Sequence, residues 1–362
     1  MTDIALATQR NDKAQLAYPC GEAPGHGAAR EILPGILWLR MPLPFTLNHI
    51  NIWAIRDGDG WALVDTGLQS SETTAGWRAL CGSGGALEQG RITRVFVTHM
   101  HPDHLGMAGW LTRKFDCRLW MTRLEYLSCR VLMADTGREA PHDGVEFYRR
   151  AGWDEAALEN YRARFGFFGK FIYALPDSYR RLNDGETLRV GDHQWRVIVG
   201  HGHSPEHACF YCADLQLLIS GDQVLPRISS NVSVFPTEPD ADPLGDWLAS
   251  LDKLRREVPD EVLVLPAHND PFRGLHARLD ELARGHHQAL DRLRRLLAEP
   301  RRAIDVFPAL FGRPIGAEPQ LLSMATGESL AHLNYLLHRQ EIAVEPDVAG
   351  VGWYRMKRQE AT

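Results

Sequence analysis

Lysine is almost missing from this chain. Only Lys13, Lys114, Lys170, Lys253 and Lys357 occur, so arginine supplies the other 35 of the 40 basic residues, a skew that a GC-rich genome produces by itself. A basic excess is missing too. The 40 basic residues face 46 acidic ones, a net charge of −6, which argues against nucleic acid or an anionic membrane as the partner. No run of about 18 apolar residues occurs, so no membrane-spanning helix is expected. The opening MTDIALATQRNDKAQLAYPCG lacks the apolar core of a signal peptide. The six cysteines, at 20, 81, 117, 129, 209 and 212, follow no disulfide framework, and a chain of 362 residues needs none. These absences lead to an expected reducing, cytoplasmic location. No internal repeat or low-complexity tract is visible.

What remains is ordinary globular composition, 44% hydrophobic and 24% charged, long enough for one large catalytic domain and a smaller appendage. Residues 1–32 read as a loose N-terminal leader. Short runs rich in β-branched and aromatic residues follow at 36–40, 49–55, 61–64, 94–98 and 118–121, with helical stretches at 71–80 and 105–115. Residues 123–175 break this rhythm as a helical insert loaded with aromatics. Strand patterns return at 187–190, 194–199, 208–212, 216–220 and 261–265. From 276 onward the period is helical, over 276–298, 301–311 and 318–339, and a last pair of strands is expected at 341–345 and 352–356. The pattern predicts an α/β protein with sheets inside and helices outside. A catalytic domain spans 33–275 and a winged-helix-like, mainly helical domain spans 276–362.

The strongest chemical signal is Thr98-His99-Met100-His101-Pro102-Asp103-His104, directly after a strand pattern. Three histidines and one aspartate within six residues are hard to explain by packing. On an irregular loop His99 and His101 can turn to one point while Asp103 and His104 turn to another. Imidazole and carboxylate suit zinc, iron or manganese. Downstream stand Gly202-His203-Ser204-Pro205, Ser220-Gly221-Asp222 and Pro266-Ala267-His268, and upstream Val64-Asp65-Thr66-Gly67.

In this order and spacing the motifs resemble the metallo-β-lactamase superfamily, over about residues 33–275. The resemblance implies an αββα sandwich and two divalent metal ions, zinc by default with iron or manganese as alternatives. His99, His101 and His203 would hold one ion. Asp103, His104 and His268 would hold the other, and Asp222 would bridge both. Asp103 and Asp222 are expected to take part in catalysis through a hydroxide shared by the metals, and Asp65 to orient the histidine loop without ligating. In GHGHSPEH the family spacing selects His203 and leaves His201 and His207 as supporting residues. Glu206 stands where many relatives have glycine. Cys209 and Cys212, three apart on a strand, point to opposite faces and are not read as a metal or redox pair.

A shared hydroxide attacks carbonyl or phosphoryl centres. With no general acid evident, a good leaving group such as a thiolate is favoured. The expected substrate is therefore a small-molecule thioester, an acyl-CoA or a glutathione conjugate as in the glyoxalase-II-like branch. Lactones and other esters come next, then phosphodiesters in a nuclease, then a non-hydrolytic metal-binding or redox role. The aromatic insert would wall the site, with Phe168, Arg164 and Lys170 as substrate contacts. Residues 276–362 carry 12 basic and 11 acidic residues, too balanced to read DNA. They are expected to shape the site or an oligomer interface.

Overall fold

In the second strand of the protein, Ile36–Pro42, successive side chains enter different cores. Ile36 and Trp38 go to one side of the sheet, and Leu37, Leu39 and Met41 to the other. The next strand repeats the pattern, with Trp53 and Ile55 on the first side and Ile50, Ile52 and Ala54 on the second. A strand apolar on both faces must be covered on both, and this dictates the layering. The computed structural model describes residues 15–88, 90–312, 315–316 and 318–357.

The first sheet has seven strands in sequence order: β1 (Ala28–Leu33), β2 (Ile36–Pro42), β3 (His49–Asp57), β4 (Gly60–Val64), β5 (Ile92–Phe96), β6 (Arg118–Met121) and β7 (Arg180–Arg181). β1 to β4 pair antiparallel and β4 to β7 parallel. Its outer face is covered by α1 (Ser71–Cys81), α3 (Ala108–Phe115) and α4 (Arg123–Ala134), through Trp77, Leu111, Tyr126 and Cys129. The short α2 (Pro102–Leu105) belongs to the site described below.

The second sheet runs β12-β11-β10-β9-β8, from β8 (Thr187–Val190), β9 (His193–Gly200), β10 (His207–Cys212), β11 (Leu217–Gly221) and β12 (Leu263–Pro266). Only β11 and β12 pair in parallel. The two sheets face each other across a core of Trp38, Trp53, Phe96, Trp195, Val197, Phe210 and Ile219, where Trp38 and Trp53 stack with centroids 6.0 Å apart. The outer face of the second sheet carries α7 (Pro243–Glu257) and α8 (Leu275–Leu296). The order of layers is helix, sheet, sheet, helix, an α/β sandwich.

Two elements escaped the sequence pattern. The expected leader ends in β1, an edge strand whose Ala28-Ala29-Arg30-Glu31 start carries no β-branched residue. Residues 15–27 are also tied down, Ala17 pairing with Arg273; the rest of the leader, 1–14, lies outside the described residues. β7 is only two arginines long.

The insert contains α4, α5 (His142–Ala151), α6 (Glu155–Arg164) and a 3-10 helix, Phe167–Phe171. After α8 come a second 3-10 turn (Ala303–Val306), α9 (Phe307–Phe311), α10 (Pro319–His338) and a hairpin of β13 (Ile342–Pro346) and β14 (Gly352–Met356). These C-terminal elements share one apolar core with α5, α6, α7 and the outer face of the second sheet: Leu279, Leu290, Leu310 and Leu333 lie in the same cluster as Ile198, Cys209 and Leu218. Packing therefore does not break at residue 276. Cys209 and Cys212 sit in cores on opposite faces of β10. Among the described residues no helix is long and apolar enough to cross a membrane.

Candidate metal centre

Five loops leave the C-terminal ends of β4, β5, β9, β11 and β12 at the same edge of the sandwich. They carry Asp65, the His99–His104 run, His203, Asp222 and His268 in turn. The fold thus gathers at one point residues spread over two hundred positions.

After β5 the chain turns through Thr98 and His99 into α2, where Pro102 opens the first turn. This turn sends His99 and His101 one way and Asp103 and His104 the other. Two groups of potential ligand atoms result, each within 4.8 Å: His99, His101, His203 and Asp222, and Asp103, His104 and His268. Asp222 reaches both. Its Oδ2 lies 3.5 Å from His203 Nε2, 3.5 Å from His104 Nε2 and 4.0 Å from His99 Nε2, and its Oδ1 lies 3.4 Å from His268 Nε2. Asp103 Oδ2 is 3.4 Å from His268 Nε2 and 3.8 Å from His104 Nε2. Ligands about 2.0–2.1 Å from one tetrahedral ion stand roughly 3.4 Å apart, so these spacings fit metal ligation. Buried Asp103 Oδ1, Asp222 Oδ1 and His104 Nε2 have no hydrogen-bond partner. Such orphaned atoms are costly unless something else satisfies them, and a divalent ion does so.

The far nitrogens of these rings are fixed. His104 donates Nδ1–H to Asp65 Oδ2 at 2.8 Å, His203 to the Asn231 carbonyl at 2.7 Å and His268 to the His49 carbonyl at 2.9 Å. Each bond selects the tautomer that leaves Nε2 free toward the centre. Asp65 adopts a left-handed backbone, φ 66°, which aspartate tolerates better than most residues. From there it also accepts from the Thr98 N–H at 2.8 Å and from Thr98 Oγ1 at 3.0 Å, and so braces the histidine loop without belonging to either ligand group.

Burial and mutual charge set the ionisation of these groups. Burial, then the neighbouring His203, pushes His101 down to about 3, and burial and surrounding histidines hold His99 well below the usual range. At His104 burial is outweighed by Asp222, Asp65 and Asp103, which raise it. At Asp222 the attraction of His268 and His104 overrides burial and keeps the carboxyl ionised.

Three further residues support the centre; His207 was expected in that part, Glu125 and His49 were not. Glu125, fully buried on α4, accepts from the Met100 N–H at 2.8 Å, Ser204 Oγ at 2.6 Å and the Glu206 N–H at 2.7 Å. It thereby ties the loop of His99 and His101 to the loop of His203. A lone acid in a helical insert carries no motif that reveals this. His207, kept neutral first by burial and then by the nearby His203, accepts from the Asp222 N–H through Nε2 at 3.0 Å. His49 accepts from the Asn269 N–H at 2.9 Å just beyond His268. Glu206 caps α4, taking the Leu124 N–H at 2.8 Å, a use for a side chain that glycine lacks. His201 points away, to the Pro205 carbonyl.

Each expected substrate contact has a partner within the protein. Arg164 faces Glu318 at 4.0 Å, Lys170 lies over the Phe167 ring at 3.8 Å, and Phe168 packs against the core outside the first sheet. Of the insert's aromatics, Phe147, Tyr148 and Trp153 are buried in the core shared with α10 and cannot wall a cleft. Trp153 Nε1–H donates to Thr326 Oγ1 at 2.9 Å.

Comparison with known proteins agrees with this geometry. Residues 45–268 match the description "Metallo-beta-lactamase superfamily". The chain belongs to that superfamily. It is an enzyme of the metallo-hydrolase kind that this superfamily comprises. Residues 290–357 match a "Metallo-beta-lactamase-like, C-terminal domain". A solved beta-lactamase domain protein from Burkholderia ambifaria is 38% identical with a TM-score of 0.85, covering 94% of this chain and 98% of its own. An atrochrysone carboxyl ACP thioesterase of Aspergillus fumigatus is 25% identical over 71% of this chain, which spans only 47% of that protein's length. An acyl-coenzyme A thioesterase of Homo sapiens is 25% identical over 68% of this chain and 82% of its own. A hydroxyacylglutathione hydrolase of Rhizobium etli is 24% identical over 49% and 48% respectively.

Proposed function

We propose that this protein hydrolyses a thioester, an acyl-CoA or a glutathione conjugate, with two divalent metal ions, zinc by default. The observation that carries the reading is the paired ligand set with Asp222 in reach of both halves. His99, His101 and His203 would hold one ion, Asp103, His104 and His268 the second, with Asp222 between them. Bound there, such a pair would supply Lewis-acid activation of water and of the substrate carbonyl.

The residues around the ligands favour an easy leaving group. Asp65 and Glu125, the other buried acids beside the loops, already accept from Thr98, His104, Met100, Ser204 and Glu206. His207 and His49 accept from backbone N–H groups. None of these is placed to protonate an amine. A thiolate, whose thiol has a pKa near 8.5, departs without such help. Next to the His203 loop, α4 and the 3-10 helix together expose Leu124, Leu127, Val131, Phe167 and Phe171, an apolar surface suited to an acyl group. The relatives named as thioesterases and as a glutathione-thioester hydrolase support the same class. The six free cysteines are in keeping with a reducing, cytoplasmic setting.

The test is one metal-replete preparation assayed against acyl-CoAs, S-lactoylglutathione, homoserine lactones, a chromogenic cephalosporin and bis-p-nitrophenyl phosphate. The highest kcat/KM is expected on a thioester. Negligible turnover of every thioester, with good turnover of the lactone, lactam or phosphodiester, overturns the substrate assignment and leaves the metal centre standing.

A further inference from the structure

The segment that follows Asp222 is held along its length by one C-terminal helix. Val234 N–H donates to the Gly327 carbonyl at 3.0 Å, Asn334 Nδ2 donates to the carbonyls of Pro239 and Ala241 at 2.9 Å each, and Arg339, just past the end of α10, pairs with Asp242 at 2.9 Å. Close approach is possible because residue 327 is glycine. A Cβ there would stand 2.7 Å from Ser233 Oγ and 2.8 Å from Ser233 Cβ.

Within this docked segment lies Asn231, whose carbonyl takes the Nδ1–H of His203 at 2.7 Å. The Asn231 side chain is gripped at both ends. Its Nδ2 donates to Glu328 Oε2 at 2.7 Å, and its Oδ1 accepts from Ser233 Oγ at 2.5 Å. Glu328 is 1% exposed. A carboxylate buried that deeply is costly unless its hydrogen bonds are specific, and Glu328 is the single acidic residue of α10, which packs into the main core.

We infer that Glu328 is a positioning residue for the metal centre, acting through Asn231 to aim His203. The chain of contact is Glu328 carboxylate, Asn231 amide, Asn231 backbone carbonyl, His203 ring. It gives the C-terminal region a part in the site at a distance: its described residues join neither ligand group, but α10 sets the orientation of one ligand. The inference rests on the proposed metal centre. Glutamine at 328 keeps a carbonyl oxygen that can accept from Asn231, whereas alanine leaves that amide unmatched and the loop free to turn.

The experiment measures metal affinity by chelator competition and the Co(II) absorption spectrum in the full chain and in Glu328→Ala, Glu328→Gln, Asn231→Ala and Glu328→Ala/Asn231→Ala. Thermal unfolding of the chelator-stripped proteins reports folding separately. Glu328→Ala should weaken one of the two ions by about 10–100-fold, the cost of losing an outer partner of a metal ligand, and shift the cobalt spectrum. Glu328→Gln should stay close to the parent. Asn231→Ala keeps the backbone carbonyl but cuts the link, so it should match Glu328→Ala, and the double variant should be no worse than either.

Parent-like affinity in a folded Glu328→Ala overturns the inference, as does full additivity of the two changes. Should Glu328→Ala not fold, parent-like affinity in Asn231→Ala overturns it alone. A parent protein that binds no metal overturns the inference together with the metal reading. A parent with two ions and indifferent variants overturns the inference alone.

Discussion

At the scale of single residues the ligands differ in what depends on them. Asp222 stands within 4.0 Å of ring nitrogens from both groups, and its N–H is anchored on His207. Gly221 beside it sits at φ 51°, and a Cβ there would meet His207 Nε2 at 2.6 Å. Glycine is thus required for Asp222 to reach the centre. Asp222→Ala should lower kcat by well over 100-fold, while Asp65→Ala, which removes a brace and not a ligand, should cost about 10–100-fold. Steady-state kinetics on metal-replete variants checks the order, and near-normal kcat in Asp222→Ala contradicts the bridging role. Glu125→Ala should resemble Asp65→Ala, because Glu125 fixes the distance between two ligand loops. The candidate ligands, which the fold brings together, were legible because metal binding calls for particular residue types in a short ordered pattern. Glu125, Asn231 and Glu328 were not, because a brace needs only one acceptor in the right place and leaves no spacing behind.

At the scale of elements, short runs rich in β-branched and aromatic residues revealed the two-faced strands of the inner layers, and the 3.6-residue period revealed α8 and α10. It could not show that these helices join the core outside the second sheet, since an apolar face does not state its partner. Their contact has a consequence for pH. His286 on α8 and His332 on α10 are both buried, 3.3 Å apart, and His332 donates Nδ1–H to the Glu328 carbonyl at 2.8 Å. That bond leaves His332 Nε2 to accept from His286 Nδ1–H, so both rings are neutral. Burial lowers His332 to about 4 from its ordinary 6.5. The folded state therefore binds fewer protons than the unfolded chain between those values. The stability it confers is complete above about pH 6.5 and is lost as pH falls toward 4, up to roughly 3 kcal/mol. His332→Gln should flatten that part of the acid limb. Urea unfolding of chelator-stripped protein at pH 7 and pH 5 measures it, and an identical pH 7-to-5 loss in parent and variant contradicts the account.

At the scale of the whole molecule, the two sheets, the insert and the C-terminal helices converge on one edge. β4 and β5 bring Asp65 and the histidine run, the second sheet brings His203, Asp222 and His268, α4 braces two loops with Glu125, and α10 holds the segment of Asn231. The abrupt change from strand to helix period near residue 276 marked the C-terminal region, where residues 290–357 match a C-terminal domain of their own. That its side chains join the same core as α5 and α7 leaves no periodic trace. This edge is proposed to hold two metal ions through His99, His101, Asp103, His104, His203, Asp222 and His268. Elemental analysis of protein purified without chelator, beside His104→Ala, tests it most directly. Close to two transition-metal ions per chain are expected, with at least one lost in His104→Ala. A chain that is metal-free yet folded and active, or a His104→Ala variant that keeps both ions, contradicts it.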